Sequence, residues 1–474
     1  MLRQGPFTTV ASSWSHREPE GAPPDSEGSL SERAIQPGYR SRTVSCVLVF
    51  LIGAFVQVSI PLTDLYEIPN VRGVFFAFMV AASIFRFLSG QPMNMSAPII
   101  VVYAALVALW MVGISYSRAP IYGANKTFLV TAYFLILGIV IYNLIDDLVA
   151  AKAFIYGLGV GSIILVCIAM VEVGNPIELL RTVSRFFRLR FGEGGNPIML
   201  ARHLALAATM IVTILAVRRK RIDVIWGLPF GLLALVYLLA TGSKGPLIAL
   251  LIACVCTPIL LMRGVMKQLS LVVLVVGCTF LSGVMLMEFL PKAFVQERFI
   301  EKVENLSLRL PAYKMAVNAI IDSDPVALLV GHGTGDFGYL ELRKDDRAYP
   351  HNMLLEVLYE NGLVGFGIIV VAVVLPAIAV MRTRGRLLAQ EHRAILSGLT
   401  ISYIAAVTNA QFSGDLGANL LIGMFGAATV GVARVDSIER IDCRTTNCPL
   451  DAHAIGVGLN ARFHRHVRCL SVHN

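Results

Sequence analysis

From residue 43 onward, long apolar runs separated by short polar breaks dominate the chain. A helix needs roughly 20 apolar residues to cross a hydrocarbon core of about 30 Å, and about twelve runs approach that length. They lie near Thr43–Leu62, Gly73–Leu88, Ala97–Ser115, Phe128–Leu144, Ala150–Val171, Pro197–Val217, Val224–Ala240, Leu247–Met262, Leu269–Leu290, Leu363–Val380, Ile395–Asn409 and Leu416–Ala433. The pattern predicts an all-α polytopic membrane protein with about twelve transmembrane helices. Residues 1–42 break it: they are polar, rich in Ser, Pro, Glu and Arg, and lack the apolar core and small-residue cleavage site of a signal peptide. They read as a disordered cytoplasmic tail, with the membrane domain at 43–433 and a second cytoplasmic tail at 434–474.

Composition agrees with this reading. Hydrophobic residues make up 56% of the chain, charged residues only 15%, and mean hydropathy is +0.70, outside the balance of a soluble globular domain. Basic residues in short loops favour the cytoplasm. Arg40 and Arg42, "RRKR" at 218–221 and "MRTRGR" at 381–386 fall on one side if the N-terminus is inside. Both tails are then cytoplasmic, and the segments Glu172–Asn196 and Pro291–Pro350 form long outer loops, the second between helices 9 and 10. Of the eight cysteines, Cys46, Cys167, Cys254, Cys256 and Cys278 lie in apolar spans and Cys443, Cys448 and Cys469 in the C-terminal tail, which leaves no pair for an outer disulfide. The tail histidines match no zinc spacing, and neither a metal nor any other cofactor is expected.

The outer loops hold the candidate chemistry. In "ELLRTVSRFFRLRFGEGGN", helical spacing puts Arg181, Arg185 and Arg188 on one face and Leu180, Val183 and Phe187 on another. This describes a basic amphipathic helix on the membrane surface, where the arginines meet anionic head groups of membrane lipids. It departs from the positive-inside trend, for which a miscounted span is the other explanation. In the larger loop, Gly333, Gly335 and Gly338 have the spacing of a dinucleotide fingerprint, but no alternating strand and helix surrounds them, so they read as backbone turns. Nothing points to nucleic acid as a partner. Pro350 suits the first turn of a helix that would begin with His351 and Asn352. Asn352, Glu356 and Glu360 recur every fourth residue as a helix face beside the interface, and Gly362 permits a bend. A histidine alone in this place more often caps backbone groups than does chemistry.

His351 has company. His351-Asn352 followed by Gly362-Leu363-Val364-Gly365, the preceding "LLVGHGTGDF" turn and "TGSKGP" at 241–246 together resemble the O-antigen ligase and polymerase superfamily of bacterial cell envelopes. The resemblance covers roughly Pro197 to Val430, and the earlier spans only by count. It implies a metal-independent inner-membrane glycosyltransferase that polymerises or ligates undecaprenyl-diphosphate-linked glycans, O-antigen or exopolysaccharide, at the periplasmic face. Partners implied are the undecaprenyl-diphosphate-linked donor, a glycan or lipid A core acceptor, and a chain-length regulator or other polysaccharide-assembly proteins. The family's essential histidine maps onto His351, and its loop arginine is best matched by Arg309. Ser243-Lys244-Gly245 stands where the family often has Ser-Arg-Gly, so charge is kept while the bidentate fork is lost. Arg309 is followed by Tyr313 rather than by the leucine of the ligases.

The chemistry is consistent with that mapping. A glycosyl diphosphate carries a good leaving group, so cations that hold the diphosphate matter more than a carboxylate pair. Arg309, Lys244 and Arg202 are candidates, with Arg185 and Arg188. Arg202 lies inside a span, where a charge is costly unless paired, functional or snorkelling. His351 can accept the incoming hydroxyl proton, with Asn352 orienting it. The competing class is a transporter or lipid-linked sugar flippase, which would place its binding residues near the midplane of repeated halves.

Overall fold

In a computed structural model of the chain, the described residues are 37–64, 71–90, 93–174, 196–262, 304–384, 386, 389–412, 419 and 421–445. The ninth expected span, Leu269–Leu290, most of both tails, and Arg185 and Arg188 lie outside them. The described residues are overwhelmingly helical. In chain order they form α1 (Pro37–Asp64), α2 (Val71–Leu88), α3 (Pro98–Ile114), α4 (Pro120–Val130), a π-helical segment (Thr131–Ile136), α5 (Leu137–Leu144), α6 (Leu148–Val173), α7 (Pro197–Arg218), α8 (Arg221–Ala240) and α9 (Lys244–Leu261). There follow α10 (Glu304–Ile321), α11 (Pro325–Val330), α12 (Asp336–Leu342), α13 (Met353–Arg382), α14 (Gln390–Ala410) and α15 (Leu421–Thr445).

Among the described residues, seven helices are long and apolar enough to cross a membrane, with three shorter apolar helices beside them. The expected count of about twelve is therefore supported only as a multi-helix membrane protein. Span boundaries also shift. The fourth run begins at Pro120, well before Phe128, because proline opens α4 at its first turn and a π segment carries the helix on to Leu144. The tenth begins at Met353 and runs to Arg382 in one element, bent at Gly362, whose φ of 62° is left-handed. The bend is the one expected at that glycine.

Helix crossings are close where side chains are small. α1 packs along α6, where a Cβ on Gly53 would lie 2.7 Å from the Phe154 carbonyl oxygen. Gly157 and Gly161 face α1 in the same crossing, a spacing that lets two backbones approach. α7 packs against α6, α8 and α14, and α9 packs against α14. The largest apolar core runs through α1, α3, α5, α6, α13, α14 and α15, and segment 304–351 sits over one end of α3, α4 and α13.

Candidate active site

The segment "GHGTGDF" is a clamp. Gly331, Gly333 and Gly335 all have positive φ, and a Cβ on Gly331 would overlap the Glu360 carbonyl, so these glycines are backbone turns. The His332 and Gly333 amides donate to the carbonyls of Tyr359 (3.1 Å) and Glu360 (2.9 Å), just where α13 bends. Thr334 donates from its amide to Gly113 O (3.2 Å) and from its hydroxyl to Trp110 O (3.0 Å) at the end of α3. Asp336 takes a bidentate pair from Arg118 (3.0 and 2.6 Å) and the hydroxyl of Tyr359 (2.8 Å). Hydrogen bonds to Asp336 hold the Arg118 guanidinium above its ordinary pKa. Burial pushes the His332 imidazole below its ordinary value; the ring stacks on Tyr359 and lies 2.8 Å from Ser323 Oγ. The turn thus fixes segment 304–351 to α3, α4 and α13.

A strap, residues 343–352, leads from this clamp to α13. Asp345 pins it to α4 by accepting from the amides of Ile121 (2.8 Å) and Tyr122 (2.9 Å). The helix then starts differently from the sequence expectation. Pro350 and His351 precede it, Asn352 is its N-cap, and Met353 is its first residue. The reason is backbone geometry: His351 has φ of 57°, which cannot continue into a right-handed helix, and Asn352 Oδ1 accepts from Leu355 N (2.9 Å). Asn352 Nδ2 donates to Gln411 O (3.3 Å), so both ends of its amide serve backbone groups and neither is seen orienting His351. The His351 ring meets Tyr349 edge to face at 4.6 Å, and its carbonyl accepts from the Tyr313 hydroxyl (3.4 Å).

The candidate cations converge from several elements on the end of α14. Arg309, in α10, donates to the Phe412 carbonyl just past that end. Arg202, in α7 and only 8% exposed, donates from Nε and from Nη2 (3.1 Å) to Asn409, with the amide oxygen facing the guanidinium. Lys244 is the first residue of α9; Gly245 beside it is close enough that a Cβ there would sit 3.4 Å from the Asn409 side-chain amide and 3.5 Å from Phe412 Cβ. Asn352 reaches the same end through Gln411. Next to this convergence lies a cavity of about 610 Å³, lined among others by Arg202, His203, Asn409, Arg347, Tyr349 and His351. Arg309 and Lys244 stand outside its lining.

Two features of the cavity were missed in the sequence. Lys126, in α4, lines it yet is only 1% exposed, and its ammonium is held by Glu356 and by Glu360 (2.5 Å) while lying 5.1 Å from the Trp110 ring centre. The expected interfacial face of Glu356 and Glu360 is corrected accordingly: both carboxylates are fully buried, because Lys126 supplies the countercharge inside the bundle. The spacing of four marked them as one face, but their partner is more than 200 residues away in sequence. The second feature is His203, buried beside Arg202. Among the described residues, no group of three or more His, Cys, Asp or Glu could hold a metal ion.

Residues 229–370 match the O-antigen ligase family model. The match runs from α8 into α13 and takes in Lys244, Arg309, His351 and Asn352, while Lys126 and Arg202 precede it. It supports the O-antigen ligase/polymerase superfamily, and with it an O-antigen ligase/polymerase-type activity of glycosyltransferase kind on lipid-linked glycan and polysaccharide substrates. No curated protein matches the chain.

Proposed function

We propose that the protein is an inner-membrane glycosyltransferase that polymerises or ligates undecaprenyl-diphosphate-linked glycans, O-antigen or exopolysaccharide, at the periplasmic face. The observation that carries this reading is the gathering of Arg202, Arg309 and the Lys244 turn around one end of α14, beside a cavity that His351 also lines. In this reading the cations hold the donor diphosphate and stabilise the charge that develops as it leaves. His351 takes the proton of the acceptor hydroxyl, whose oxygen forms the new bond to the anomeric carbon as the bond from that carbon to the diphosphate oxygen breaks. Undecaprenyl diphosphate departs, and no metal ion or cofactor takes part. Asn352 serves as the cap that starts α13 at a fixed distance from His351. Arg185 and Arg188 join the cations at the membrane surface, where an anionic donor would first be met.

The acceptor is a second lipid-linked repeat or lipid A core, and a chain-length regulator or other assembly protein would act beside it. Replacing His351 by alanine should lower turnover roughly 100-fold or more while donor binding is retained, the scale of a lost general base. Arg309→Ala should weaken donor binding and turnover together, because a diphosphate-holding cation acts on ground state and transition state alike. Cells carrying His351→Ala at matched protein level are the decisive measurement. Near-normal glycan assembly in them would remove the base and favour a capping role or a transport function.

A further inference from the structure

At the junction of α1, α6 and α7, three buried polar side chains form a directed chain. The Ser162 hydroxyl donates to the Leu158 carbonyl at 2.6 Å. A serine has one hydroxyl proton, and here it is spent, so Ser162 Oγ faces its next neighbour as an acceptor. Gln57 Nε2 donates to that oxygen at 2.8 Å and lies 3.5 Å from the His203 carbonyl, which fixes the amide with its oxygen turned to the imidazole. Gln57 Oε1 is 2.8 Å from His203 Nδ1, so Nδ1 carries the proton. In the neutral ring the lone pair then sits on Nε2. Gln57 and Ser162 are fully buried, His203 is 3% exposed, and the same imidazole lines the cavity next to Arg202.

We propose that His203 Nε2 is a hydrogen-bond acceptor subsite for an O–H or N–H group on the sugar of the bound glycan, with Gln57 and Ser162 setting its tautomer. A chain of polar groups inside a span is costly, and this one delivers a lone pair to the cavity wall in a single orientation. Its neighbour Arg202 has only donors, and so receives phosphate oxygens; His203 presents the opposite polarity, to which phosphate oxygens are poor partners and sugar hydroxyls or acetamido N–H groups are good ones. The two adjacent residues therefore sort the two ends of a sugar diphosphate. The identity of the ligand rests on the glycosyltransferase reading; the tautomer does not.

Both parts can be tested on the full-length protein. With ring-¹⁵N-labelled histidine, the signals lost in His203→Asn belong to His203; they should show a protonated Nδ1 and an unprotonated Nε2, and Gln57→Leu should mix the tautomers. A protonated Nε2 in the parent protein overturns the acceptor assignment. Binding is then compared for undecaprenyl diphosphate and for the glycan-bearing undecaprenyl diphosphate of the host cell. His203→Asn keeps a donor for Gln57 but has nothing at the Nε2 position, and should weaken the glycan-bearing lipid about 10-fold while leaving the bare lipid unchanged, the scale of one lost hydrogen bond. His203→Gln, whose amide reaches that position, should restore most of the loss. Equal weakening of both lipids, or of neither, overturns the subsite. If the parent protein binds neither lipid, the glycosyltransferase reading falls and the glycan subsite with it, whatever the tautomer.

Discussion

At the scale of single residues, the backbone of His351 is as informative as its side chain. Its φ of 57° places a non-glycine residue in the left-handed region, which costs about 1–2 kcal/mol and is sparsely used outside turns and functional sites. Asn352 then caps α13, and His351, outside the helix, stands in the cavity lining with its ring against Tyr349. His351→Gly should accordingly unfold at a higher temperature in detergent than His351→Ala, by the equivalent of about 1 kcal/mol, since glycine has no Cβ penalty there. Both should be equally inactive. If alanine were the more stable of the two, the left-handed conformation would not describe the folded protein. The motif was legible in the sequence because proline, histidine and asparagine stand together ahead of an apolar run. Its geometry was not, because φ at a non-glycine residue is imposed by what surrounds it.

Among the elements, α4 makes contacts that no local pattern announced. Asp345 holds its first turn, and Lys126 on its second joins it to α13 through Glu356 and Glu360. Breaking a buried ion cluster by removing one partner strands the rest, so Lys126→Met should cost about 3–5 kcal/mol. Adding Glu356→Gln and Glu360→Gln should recover a substantial part, because no net charge is then left inside the bundle. Thermal unfolding of the single and triple variants in the same detergent checks this, and a Lys126→Met protein as stable as the parent would contradict the burial. The glycine turn is the opposite case. Gly333 and Gly335 are the turns expected from the sequence, Gly338 is instead a helical residue of α12, and the partners of the turn in α3 and α13 were hidden.

At the scale of the whole molecule, the proposed function requires the site to face the periplasm. Between Asp345 and Ser437 lie α13, long and apolar enough to cross a membrane, then α14 and the apolar first part of α15, which ends at Val435; a crossing by each would put the two positions on opposite sides. Basic residues at 381–386 point the far end of α13 to the cytoplasm. Reporter fusions at Asp345 and at Ser437 should therefore report the periplasm and the cytoplasm respectively. The same side for both would mean that one of the three helices does not cross.

The sequence by itself determined that this is a helical membrane protein and where several helices begin, and it carries the resemblance through which His351, Asn352, Lys244 and Arg309 became candidates. Those properties are local: hydrocarbon thickness sets run length, and proline and asparagine act on the turn they occupy. Only the tertiary structure decided that Arg202, Arg309 and Asn352 meet at the end of α14, that Lys126 pairs with both Glu356 and Glu360, and that Gln57 fixes the proton on His203. Each of these joins side chains from helices far apart in the chain. Inside a bundle a charge or a lone pair is tolerated only with its partner present, and a partner that comes from another helix leaves no trace in the spacing of either one.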